Sequence, residues 1–195
     1  MKITWVRMPF ALALLAILGW PQMAESTTLQ RQGLDALVAH HETVVVAEVL
    51  DAFSYWNADG SMILTDVYIK TEQPLKGDRL TEELTVTLLG GSVGEITTLI
   101  LGGAELVPGD TYLLFLNEEN LLPGFSALTV REHSQGVFDV VERENGELRL
   151  VSQASSGGLL PDSRGNSAAP GGAEGLLLEE ALRSIAALIE EGVKS

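Results

Sequence analysis

The chain has 195 residues, with 27 acidic side chains against 12 Lys and Arg, a formal charge of −15 and no cysteine. Such an acidic balance excludes the basic footprint that nucleic-acid binding needs, and it opposes docking on anionic lipid. Without thiols there is neither a disulfide framework nor a lipid-modified N-terminal cysteine, so the fold must be held by its own core.

The first 24 residues read as an export signal. Lys2 and Arg7 give a positive start, Phe10 to Trp20 is apolar, and Ala24 ends a cleavage stretch, although Gln22 stands where a small residue is preferred. The apolar run is roughly half of the ~20 residues a membrane-spanning helix requires. Removing these 24 residues, which carry two positive and no negative charges, leaves 171 residues and moves the charge from −15 to −17. That length suffices for one domain with a proper core. The expected product is exported, periplasmic or extracellular, with no membrane association once the signal is gone.

Residues 25–42 give a polar lead-in and a helix, with Leu34, Leu37, Val38 and His41 at helical spacing. Strands are predicted where β-branched and aromatic runs are punctuated by turn chemistry. They are Val44 to Leu50, Met62 to Lys70, Leu84 to Leu89, a weaker Glu95 to Leu101, and Tyr112 to Leu116. Val137 to Val141 and Leu148 to Val151 complete the set, joined by the Asn145-Gly146 turn. Short strands at close intervals predict a mainly β fold, a small antiparallel OB-like barrel or sandwich, rather than alternating βα units. Its expected core comprises Val44, Val46, Val67, Ile69, Val86, Leu88, Leu113, Phe115, Phe138 and Val140.

The domain is thus expected over residues 25–152. Residues 153–175, rich in Gly, Ser, Ala and Pro, read as a flexible linker. Residues 176–195 read as an amphipathic helix, with Leu178, Leu182, Ile185 and Ile189 on one face beside Ala181 and Ala186. That stripe is expected to cover an open side of the β domain; a partner-binding helix is the alternative.

Motifs with chemistry are few. Gly90-Gly91-Ser92-Val93-Gly94 has the glycines of a phosphate loop but precedes a β-favouring run rather than a helix, so it is expected to form a tight bend or bulge. Asn57-Ala58-Asp59-Gly60 holds a fragment of a calcium loop, yet the twelfth position is Tyr68 instead of a Glu, and a polar turn accounts for it. His40, His41 and His133 fit no metal-binding spacing, and there is no Gly-x-Ser-x-Gly elbow. No catalytic residue, cofactor or metal is assigned. Phe53, Tyr55 and Trp56, with Asp59 nearby, form a candidate binding edge; the competing reading is that Phe53 and Trp56 cap the barrel end.

The stretches Val44 to Leu50, Thr65 to Lys70 with Pro74-Leu75-Lys76-Gly77, Leu84 to Leu89 and Gly109-Asp110-Thr111-Tyr112 to Leu116 resemble the netrin-like module. This is the OB-type barrel also found in tissue inhibitors of metalloproteases. The likeness spans about residues 43–141; the chain also resembles uncharacterised exported bacterial proteins that share the double glycine and the late Gln135-Gly136-Val137-Phe138 step. It implies a five-stranded, partly open barrel whose face and loops bind ligands. Inhibitory members of that family use an N-terminal cysteine and disulfides, which this chain lacks, so their inhibitory residues have no counterparts here. The expectation is a monomeric, non-catalytic protein-binding module, inhibitor-like at most in its architecture, with an exported hydrolase as the alternative.

Overall fold

The computed structural model describes residues 31–78, 81–130, 133–154 and 174–193. The expected signal (residues 1–24) and most of the expected linker (155–173) lie outside them. In chain order come α1 (Leu34–His40), β1 (Thr43–Trp56), β2 (Ile63–Lys76), β3 (Glu83–Leu89), β4 (Gly91–Val93) and β5 (Ile96–Thr98). β6 (Thr111–Leu122), β7 (Phe125–Val130), a 3-10 turn (His133–Gly136), β8 (Val137–Glu142), β9 (Leu148–Ser152), β10 (Leu176–Leu177) and α2 (Leu178–Val193) follow. The described residues are mainly β and antiparallel, with one helix before the sheet and one after it, as the patterning predicts.

The main sheet runs β10-β9-β8-β6-β1-β2-β3, with β7 paired to the far half of β6, while β4 and β5 form a separate hairpin. The sheet curls until β3 and β7 approach, and Thr129 Oγ1 donates to Thr87 O at 2.7 Å. Among the described residues no ladder joins those two strands, so the sheet does not close into a barrel and the fold is sandwich-like.

The apolar runs in β1 and β6 have a simple cause: over those runs the strands are buried on both faces. Alternate residues point to opposite sides of a strand. Val45, Ala47 and Val49 therefore enter the inner core with Val67, Ile69, Val86, Tyr112, Leu114 and Leu116. Val44 and Val46 face the other way, joining Leu113, Phe115, Phe138 and Leu150. Leu37 and Val38 from α1, and Ala181 and Ile185 from α2, cover this second core. Eight of the ten expected core residues are buried, but they divide between the two layers; Leu88 and Val140 are only half-buried. Phe115 anchors the helix-side layer, meeting the rings of His41 (5.7 Å) and Phe138 (6.0 Å) edge-on. His41 Nδ1 donates to Leu37 O at 2.7 Å, which makes this a packing histidine.

Several boundaries differ from expectation. β1 runs on to Trp56, past a register shift between Val49 and Asp51 that resets its pleat. The expected strand from Glu95 to Leu101 shortens to β5, and β4 forms inside the glycine segment expected to be a bend. β7 and the outer half of β6 were not expected, because Asn117-Glu118-Glu119-Asn120 breaks the apolar pattern. Leu176 and Leu177 are strand rather than helix, pairing with Leu150 and Arg149, so α2 starts at Leu178. Ala186 is exposed, and Leu188 packs in its place, since the buried stripe follows Leu178, Ala181, Leu182, Ile185, Leu188 and Ile189. Gln153, the first residue of the expected linker, is tied into the domain. Its Nε2 donates to Glu105 O (2.7 Å) and Asp139 Oδ1 (2.8 Å), and its backbone N–H to Val137 O (3.0 Å).

Candidate functional site

β1 pairs with β6 only over Thr43 to Glu48, and Val49 is still held by Asp110 O and Gly109 N. From Leu50 onward its ladder partner is β2 alone. This outer half of the β1–β2 hairpin carries the candidate residues. Cross-strand partners share a face, so Asp51 lies beside Tyr68, Phe53 beside Asp66 and Tyr55 beside Leu64, which is itself buried.

Phe53 is 62% exposed and therefore does not cap the sheet. It stacks on Tyr55 with centroids 6.3 Å apart and planes 14° apart. The Tyr55 hydroxyl donates to Asp66 Oδ1 at 3.2 Å, and Thr87 Oγ1 donates to the same oxygen at 2.7 Å. Burial, reinforced by the Asp66 charge, raises the Tyr55 phenol above its usual range. One ring is thus pinned, and it holds the freer one against itself. Tyr68 and Leu50, each 44% exposed, extend the apolar surface.

Trp56, 38% exposed, follows Tyr55 on the opposite face of the strand, opposite Ile63. That face also carries Ser54, whose Oγ is 2.8 Å from Thr65 Oγ1; Thr65 in turn donates to Gly90 O at 2.7 Å. Asp59 sits in the hairpin turn. Its Oδ1 accepts Ser61 N–H at 2.9 Å, while Asn57 Oδ1 accepts Ser61 N–H (2.9 Å) and Met62 N–H (3.1 Å). The hydrogen bonds from Ser61 hold the Asp59 carboxyl below its usual range. Asn57 Oδ1 and Asp59 Oδ1 of the calcium-like fragment are therefore engaged in closing the turn. Among the described residues no group of three or more His, Asp or Glu is placed to hold a metal ion. The structure thus brings Phe53 and Tyr55 together, sets Trp56 on the adjoining face, and leaves Asp59 at the tip.

Among the described residues, further clefts lie elsewhere. One of about 690 Å³ opens at the unclosed seam, between Thr85 of β3 and Leu128 of β7, with His40, Glu42, Lys76 and Asp78 on its rim. Lys76 Nζ donates to Val38 O and His41 O, both at 2.7 Å, so the lysine of the Leu-Lys-Gly motif caps the C-terminus of α1. Another, about 360 Å³, is lined by Glu105, Asp110, Tyr112, Asp139 and Gln153. There the Tyr112 hydroxyl accepts Val107 N–H at 3.0 Å. Burial raises that phenol above its usual range, and Asp110, Asp139 and Glu105 push it the same way. The Gly-Asp-x-Tyr motif is therefore a loop tether. Tyr68 escaped the sequence reading; its alternation with Asp66 and Lys70 along β2 was the available signal.

No protein-family model matches this chain, and comparison with curated proteins and with solved structures finds no match either. No helix among the described residues is long and apolar enough to cross a membrane.

Proposed function

We propose that the chain is an exported, non-catalytic protein-binding module that engages its partner through the outer half of β1. The export half of this reading rests on the N-terminal charge, apolar run and small residue. The binding half rests on one observation, the exposed Phe53 stacked on a pinned Tyr55. Solvent-facing aromatics grouped with further apolar surface mark interaction sites, and such rings supply much of an interface's energy. The curl of β1–β3 against β6 and β7 supports a netrin-like, OB-type arrangement for the same region.

The test pairs two measurements. N-terminal sequencing of the exported fraction should find a mature chain starting near Glu25. Fully burying a Phe is worth about 1.5–3 kcal/mol, so Phe53→Ala should weaken the partner complex by roughly ten- to a hundredfold. Because Phe53 is exposed, the melting temperature should hardly move. Unchanged affinity for the partner would refute the site.

A further inference from the structure

Resting on that protein-binding reading, we infer that the partner binds by strand addition: an extended, basic segment pairs along the open edge of β1 from Ala52 to Trp56. The hairpin closes with Asn57 N–H on Met62 O at 2.9 Å. Counting back through the ladder, Tyr55 and Phe53 exchange their backbone bonds with β2. Ala52, Ser54 and Trp56 consequently turn their N–H and C=O groups the other way. On that side β6 has already ended at Thr111, and among the described residues no backbone hydrogen bond reaches those three.

The edge is guarded rather than sealed. Asp51 Oδ1 accepts Ala52 N–H at 2.8 Å, removing the first donor of the row. A carboxylate at a strand edge discourages indiscriminate pairing. What stays free is the pair of donors on Ser54 and Trp56 with the carbonyls of Ala52, Ser54 and Trp56. That set matches the main-chain demands of a short added strand. Outward side chains of the incoming segment would lie beside Phe53 and Tyr55, where sequence can be read.

Charge selects the occupant. From Glu48 to Lys70 the chain carries four carboxylates, Glu48, Asp51, Asp59 and Asp66, against a single cation, Lys70, which stands opposite Glu48 at the far end of the ladder. A second copy would bring the same four charges to the same edge and be repelled. A segment with Arg or Lys at alternate positions meets opposite charge and can set a cation over the Phe53 ring.

The experiment follows amide exchange by NMR in the isotope-labelled chain. Without a ligand, Phe53 and Tyr55 amides should be protected while Ser54 and Trp56 exchange quickly. A saturating decapeptide of alternating Arg and Val should slow exchange at Ser54 and Trp56 at least about tenfold. The same peptide N-methylated on one edge, or built from Glu and Val, should leave them unchanged. Protection elsewhere only, or equal binding of the N-methylated peptide, overturns strand addition. If Phe53→Ala still abolishes that binding, the aromatic site survives without the edge; if it does not, both fall. Slow exchange at Ser54 and Trp56 in the free chain, with a dimeric mass in solution, would overturn it in favour of self-pairing.

Discussion

Ile185→Ala tests whether the C-terminal helix is part of the fold. Ile185 is fully buried in the helix-side core, where α2 lies over α1 and the sheet. Truncating such a side chain to alanine costs about 2–5 kcal/mol, from lost burial and the cavity left behind. A domain's entire stability is only about 5–15 kcal/mol. At roughly 2–4 °C per kcal/mol for a chain of this size, the melting temperature should fall by about 4–20 °C. Ala187→Ser, on the exposed side of the same helix, should stay within about 0.5 kcal/mol of the parent. Thermal unfolding followed by circular dichroism reads both. A released 16-residue helix is marginal alone in water, so loss of docking would also lower the helical signal. If Ile185→Ala melts where the parent does, α2 does not dock in solution, and a partner-binding role for the helix becomes the better account.

Two further predictions probe the site's support. A Cβ on Gly91, whose φ is +129°, would overlap Ser54 Oγ and Thr65 Oγ1. Gly91→Ala should therefore cost about 1–3 kcal/mol in urea unfolding, and clearly more than Gly94→Ala, where φ is +61° and nothing lies within 4 Å. Tyr55 and Tyr112 both have phenols raised above the unfolded value of 10.0, so their neutral forms favour the fold. Their contribution is complete below that value and is lost as pH climbs through the raised one. Stability measured from about pH 8 to about pH 11 should thus decline at the alkaline end, and less steeply in Tyr112→Phe; an identical decline would refute the assignment to Tyr112.

The sheet was legible where burial is two-sided or cleanly alternating. Val44-Val45-Val46 and Tyr112 to Leu116 announce strands because both faces meet a core, and Leu84, Val86 and Leu88 announce one because a single face does. β7 was not read, although Pro123-Gly124, with Gly124 at φ +79°, supplies turn residues between Leu122 and Phe125. The acidic stretch before it hid the hairpin, since edge strands facing water need little apolar alternation. The length of β1 was also missed: a register shift after Val49 flips the pattern, so Ala52 and Ser54 continue the inner face that a strict period of two assigns elsewhere. For the site, the sequence supplied the aromatics but not their sides, because that same shift decides which ring points where.

Most residues that carry the netrin-like resemblance are explained by the architecture alone. Lys76 caps α1, Tyr112 holds the loop at Val107, and Phe115 fills the helix-side core. Each serves the fold, whatever the chain binds, so none of them points to a function. The residues that the fold does not need are more telling. Phe53 makes no contribution to either core, yet a phenylalanine facing water adds aggregation risk that a threonine or lysine would remove. It stands on the outer half of β1, stacked on a tyrosine whose hydroxyl is held by Asp66 of β2, which Thr87 of β3 also bonds. On the proposed reading, a partner strand laid beside Ser54 and Trp56 would cover the exposed Phe53 ring.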